Sequence, residues 1–277
     1  MQIAQVIEKI KRYHKGYGQI DEAKTRDQVL WGNPNQECTG IVICIWPSVE
    51  IIRRAIEYHA NLIITHEALF WNHGDHTDWL EEKSRVYEEK IKLLDQGNIC
   101  VWRDHDYIHS GIPVENGQYA DGIFYGFACE AGWKPYLVNW QDCMSFQLPK
   151  TTVKEIGKHL LERFNLEGMK LIGNLDQPVE KVDILFHVLR DAKDEIIACE
   201  QGKRDLMICM ELVDYTLSEY VKDASILDHH GAILCMGHFN TEEPGMRYML
   251  NYLPEAIGEK IPAWFESAGD MYHYLTK

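Results

Sequence analysis

Short, mostly apolar runs separated by helix-period segments constrain this chain more than any other feature. The runs are IVICIW (41–46), LIIT (62–65), ICVWR (99–103), LMIC (206–209) and AILCM (232–236). None alternates apolar and polar residues, as a strand with one wet face would. Continuous apolar runs suit strands buried on both faces, the condition of a parallel sheet covered by helices. The segments between them carry helix signals. Pro47-Ser48 opens a helix to Tyr58, with Ser48 as N-cap. A charged helix runs from Trp79 to Asp95 and Gly97 closes it. A further helix is expected over 119–131.

The rhythm restarts after 133–141. Strands are expected at 144–148, 170–173, 182–188, 206–209, 232–236 and 261–265. Helices are expected at 151–164, 191–201, 212–223 and from Glu242 onward. The fold class is therefore α/β, built as two similar lobes with mainly parallel sheets. The lobes are expected at 1–132 and 133–277, both contributing to one metal site.

Ligands of open α/β sheets bind beyond the carboxyl ends of the strands. Three strand ends here carry metal-ligating residue types. His66 and Glu67 follow LIIT; Asp104, His105, Asp106 and His109 follow ICVWR; His238 and Glu242 follow AILCM. They are expected at one edge of one sheet. His238 and Glu242 are four apart: either the histidine lies on the loop and the carboxylate in the first turn of the helix, or an earlier helix start puts both on one face, and either lets both reach one ion; His105 and His109 share the spacing. Imidazoles with carboxylates suit Zn, Mn, Fe, Co or Ni ions rather than Ca²⁺ or Cu⁺. One or two such ions per chain are expected. Glu211 reads as a helix N-terminal charge, or alternatively as a carboxylate behind the ligands. The loop with His73, Asp75 and His76 reads as a solvated loop, with a lid or auxiliary ligand role as the alternative, and the pair His229-His230 as an exposed turn.

The formal net charge is −15, from 43 acidic and 28 basic residues. That balance disfavours nucleic acid and anionic membranes as partners. The eight cysteines contain no CxxC pair and read as reduced, buried thiols. The first residues form an amphipathic helix pattern rather than a signal peptide, and no apolar stretch reaches membrane-spanning length, so a cytoplasmic protein is expected. No phosphate-binding or dinucleotide-binding glycine motif and no GxSxG elbow is present.

Several of these segments together resemble the Nif-three-like dinuclear metal-centre proteins, also labelled GTP cyclohydrolase 1 type 2 homologues. NLIITHEALF is similar to that family's "lIitHHPl-f" motif, ICVWRDHDYIHSG lies where it has "v-y-s-a-H-T-n-l-D", and GHFNTEEPGM matches "GHyxTExxg". TRDQVLWGNPNQECTGIVICIWPS and LMICMELVDYTLSEYVKDA resemble further family segments. The resemblance implies two α/β lobes around a metal-bearing cleft, and a homohexamer. It makes His66, His238 and Glu242 metal ligands. Glu67 stands where the family has a second histidine, His109 where it has an aspartate, and His105 matches a histidine near the site. Histidine and carboxylate have thus exchanged places. Ala68 replaces a proline.

The function expected is a metal-dependent hydrolase of the cyclohydrolase or phosphoesterase type. It would act through activated water on a small molecule, with nucleotide-like compounds among the candidates and Glu67 as the catalytic carboxylate. The alternative is a non-catalytic metal-binding, metal-delivery or regulatory protein.

Overall fold

The computed structural model describes residues 1–80, 84–187, 191–227, 229 and 231–275. The chain runs α1 (Ile3–Tyr13), β1 (Val29–Trp31), β2 (Ile41–Cys44), α2 (Val49–Glu57), β3 (Leu62–Thr65), α3 (Arg85–Gln96), β4 (Cys100–Arg103), α4 (Asp106–Ser110), β5 (Ile112–Pro113), β6 (Tyr119–Ala120) and α5 (Gly122–Glu130). It continues through β7 (Ser145–Thr152), α6 (Val153–Phe164), β8 (Lys170–Ile172), β9 (Pro178–Leu185), α7 (Lys193–Glu200), β10 (Leu206–Cys209), α8 (Leu217–Ile226), β11 (Ala232–Cys235), α9 (His238–Ile257) and β12 (Ala263–Phe265). Two compact units result, residues 1–123 with 245–269, and residues 124–244 with 270–277.

The first unit holds a five-stranded sheet in the order β1-β4-β3-β2-β12. β12, β2, β3 and β4 run parallel, and β1 joins the β4 edge antiparallel. Every residue of β2, β3 and β4 is buried, as their unbroken apolar character requires. Ser48 accepts a hydrogen bond from the Ile51 amide at 3.2 Å, capping α2 as its position indicated. α3 begins at Arg85, capped by Ser84, whose hydroxyl accepts from the Tyr87 amide at 3.2 Å. Residues 81–83 of the helix expected from Trp79 lie outside the described residues. Ile51, Ile52 and Ala55 of α2 and Leu94 of α3 pack with Val42, Ile63 and Val101 in one core.

The second unit has its own five-stranded sheet, β7-β9-β10-β11-β8. β9, β10 and β11 are parallel, and the two outer strands are antiparallel. Leu206–Cys209 is found where the sequence indicated, in register with Ala232–Cys235 on one side. The three ligand-bearing strand ends therefore do not share one sheet: β3 and β4 lie in the first, β11 in the second. The segment expected to be helical from 119 begins instead as the short β5–β6 pair, and α5 starts at Gly122. All eight cysteines are free thiols, six of them buried.

Candidate metal centre

β3 and β4 are neighbours in parallel register, with Thr65 opposite Arg103. The residues just past each strand therefore emerge side by side. His66 leaves β3, His105 precedes the five-residue α4, and His109 lies within it. One ligand atom from each of the three lies within 4.8 Å of the others. The His66 and His105 rings stack at 4.5 Å, and His109 meets them edge-on at 5.0 and 5.1 Å.

The orientation of each ring is fixed from behind. His66 Nδ1 lies 3.1 Å from the Asp104 carbonyl, His105 Nδ1 2.9 Å from Asp106 Oδ1, and His109 Nδ1 2.8 Å from Asp121 Oδ2. A carbonyl or carboxylate on Nδ1 assigns the proton to that nitrogen and the lone pair to Nε2. Metal-ligating histidines are oriented in this way. Burial, then the neighbouring histidines, lowers the His66 imidazole well below its ordinary range and takes His105 down to about 4. Both are therefore neutral near pH 7, as ligation requires.

α4 is too short to hold itself. Its first amides are capped from a distant loop by Asp27, which accepts from the backbone of His105 at 2.7 Å, Asp106 at 2.8 Å and Tyr107 at 2.7 Å. Burial raises the Asp27 carboxyl to about 6 despite these three bonds. Asp106 is held in turn by the Thr25 hydroxyl at 2.7 Å and the Arg26 amide at 3.0 Å.

Glu67 offers an oxygen within 4.8 Å of a His66 ring nitrogen. Its carboxylate is also ion-paired with Arg103 at 3.1 Å. Arg103 is wholly buried. Its Nε donates to the His66 carbonyl and its Nη1 to the His73 carbonyl, both at 2.9 Å, and Nη1 also reaches Asp75 at 3.4 Å. The His73–His76 loop is thus tied to the site rather than freely solvated. His73 lies 5.7 Å from His105, ring to ring.

The second unit carries a cluster of its own residues. His187, Glu211 and His238 each present a ligand atom within 4.8 Å of the other two. Glu211 accepts from His187 Nδ1 at 2.7 Å and from His238 Nδ1 at 2.5 Å, one oxygen to each. Burial raises the Glu211 carboxyl, but the bonds from His238 and His187 outweigh it and hold it below its ordinary range. Of the two readings of Glu211, the carboxylate behind the ligands is the one its contacts fit. His238 and Glu242 sit on the first turns of α9, and His238 Nε2 lies 2.9 Å from Glu242 Oε2.

His187, Arg103, Asp27 and Asp121 did not emerge from the sequence. His187 follows β9 by two residues. Extending that strand through residue 188 conceals it, whereas ending it at Leu185 places His187 at a strand tip like the others. Residue 188 lies outside the described residues, as does His230; His229 is exposed.

The sequence matches the family described as Duf34/NIF3 (NGG1p interacting factor 3) over residues 1–267. Similar solved structures include the hypothetical protein SA1388 of Staphylococcus aureus, with a TM-score of 0.72 and 15% identity over 99% of both chains. TTHA1606 from Thermus thermophilus has a TM-score of 0.67 and 17% identity over 98% of this chain and 100% of its own. Reduced HcgD from Methanocaldococcus jannaschii has a TM-score of 0.60 and 16% identity over 95% of this chain and 97% of its own. At these identities the likeness shows the fold. No protein with curated annotation matches. With a match spanning nearly its whole length, the chain belongs to the Duf34/NIF3 family.

Proposed function

We propose that this protein binds divalent transition ions and acts as a metal-dependent hydrolase on a small molecule. The observation that carries the reading is the common arrangement of His66, His105 and His109. Each Nδ1 is engaged by an oxygen acceptor, so all three lone pairs fall on Nε2. This donor set fits a borderline ion such as Zn²⁺, Mn²⁺, Fe²⁺, Co²⁺ or Ni²⁺. His66, His105 and His109 would hold it in the first unit, with Glu67 beside His66. In the second unit His238 would be a ligand, with Glu242 2.9 Å from its Nε2 and His187 and Glu211 clustered with it. A bound ion supplies Lewis acidity, which makes water a nucleophile near neutral pH. Glu67 would orient a water beside that ion and accept its proton. Arg103, 3.1 Å from Glu67 Oε2, fixes the direction of that carboxylate. The assembly expected is a homohexamer, read by light scattering.

The test is metal content by inductively coupled plasma mass spectrometry on untagged protein. His66→Ala and His105→Ala should each lower the content of the wild type, and His187→Ala should act on the second cluster. Metal bound and lost in this way, with no hydrolysis of phosphate esters or heterocyclic amides, would leave a metal-delivery role. No metal after reconstitution with any of the five ions would overturn the reading.

A further inference from the structure

Arg103 decides the chemistry of a histidine beside the first cluster. A guanidinium carries five N–H hydrogens and no acceptor, and it keeps its proton inside proteins. In Arg103 all five are committed, to groups on four residues. Nε donates to the His66 carbonyl at 2.9 Å. Nη1 donates to the His73 carbonyl at 2.9 Å and reaches Asp75 Oδ2 at 3.4 Å. Nη2 donates to Glu67 Oε2 at 3.1 Å and lies 3.3 Å from His73 Nδ1.

That last contact fixes a tautomer. A guanidinium nitrogen only donates, so His73 Nδ1 must accept and therefore holds the lone pair. The ring proton of neutral His73 is thereby placed on Nε2. His66, His105 and His109 show the reverse arrangement, with Nδ1 against a carbonyl or carboxylate oxygen and the lone pair on Nε2. His73 stands beside them with opposite polarity. Its ring lies 5.7 Å from that of His105 and nearly perpendicular to it, at 81°. Arg103 behind it is wholly buried, whereas His73 itself is exposed and open to an incoming molecule.

We infer that His73 is not a further metal ligand but a hydrogen-bond donor, whose Nε2–H is given to an oxyanion that binds beside an ion held by His66, His105 and His109. A donor oriented in advance by a buried cation needs no reorganisation when negative charge arrives. The inference rests on the proposed function for the presence of the ion, but not for the tautomer.

The experiment has two arms on the full chain. Long-range proton–nitrogen NMR of the metal-free protein should place the His73 proton on Nε2, and those of His66, His105 and His109 on Nδ1. Acetate is then titrated into the cobalt-loaded protein and followed by the visible absorption of the ion. His73→Ala should weaken acetate about tenfold, the worth of one hydrogen bond to a charged group. His73→Gln, which keeps an N–H donor, should recover most of the loss, and cobalt affinity should stay that of the wild type in both variants. A His73 proton on Nδ1, acetate affinity unchanged in His73→Ala, or cobalt affinity lowered as far as in His66→Ala would overturn the inference. No cobalt bound by the wild type would overturn the donor role together with the proposed function, while the tautomer stands or falls by the NMR arm alone.

Discussion

Removing the Arg103 guanidinium tests whether one buried cation organises the first cluster. The side chain is wholly buried and makes two hydrogen bonds of 2.9 Å to the carbonyls of His66 and His73. It also pairs with Glu67 at 3.1 Å and Asp75 at 3.4 Å, whose side chains are 15% and 12% exposed. Arg103→Met leaves two carboxylates without their cation. Breaking a buried pair from one side costs roughly 3–5 kcal/mol, and the two orphaned carbonyls add about 1 kcal/mol each. Arg103→Lys keeps the charge but loses the fork, and should cost about 2–3 kcal/mol. Urea unfolding in EDTA, followed by tryptophan fluorescence, reads these values without linkage to bound metal. Arg103→Met combined with Glu67→Gln should cost about 1–3 kcal/mol less than the sum of the two single variants, because the stranded charge is gone. A loss below about 1 kcal/mol in Arg103→Met, or strict additivity in the pair, would refute the claim that Arg103 holds Glu67 in place.

Asp27→Ala removes the acceptor for three amides of α4 and should cost about 3 kcal/mol, with Asp27→Asn costing about 1 kcal/mol. Metal affinity should fall roughly 10–100-fold in the alanine variant; unchanged affinity by competition titration would separate the cap from the site. Lys90 is buried, donates to the Leu69 carbonyl at 2.6 Å and lies over the rings of Trp46, Phe70 and Trp71. Burial lowers its ammonium from 10.5 to about 8, so between those values the unfolded chain holds more protons and stability rises with pH. The wild type should gain about 3 kcal/mol over Lys90→Met from pH 8 to 10.5, and parallel stability curves would contradict this. Gly245→Ala places a Cβ 2.3 Å from Ile123 Cα and should cost upwards of about 3 kcal/mol, read as a loss of soluble folded protein. Gly18→Ala meets no atom within 4 Å, and its positive φ should cost only about 1 kcal/mol.

The central strands were legible because burial on both faces leaves a plain mark. IVIC, LIIT and LMIC are buried at every position, and a continuous apolar run has few other solutions. The edges were harder. β7 and β9 are eight-residue antiparallel partners whose burial is broken by exposed residues, so their bounds and direction are not written in hydrophobicity. β12 carries a second lesson. AWF is only half-buried and short, yet it pairs in parallel with Ile41–Ile43 from the far end of the chain. Nothing local in three such residues identifies a partner so distant in sequence; only the sheet's need to cover the β2 edge selects it.

The site divides along the same line, between groups announced by their chemistry and groups defined by what they touch. Histidines past strand tips stand out because a buried strand rarely ends on an imidazole. The supporting residues have no such mark. Asp27 sits in an ordinary loop sequence, and only folding brings it against the amides of a distant helix. Arg103 reads as the charged end of a strand until its four acceptors are seen around it. Asp121 is recognisable only from His109, and Glu211 only from the two histidines it divides between its oxygens. Ligand type is a property of a residue, whereas orientation is a property of a pair. A single sequence therefore discloses which side chains can bind a metal well before it discloses which others make them point the same way.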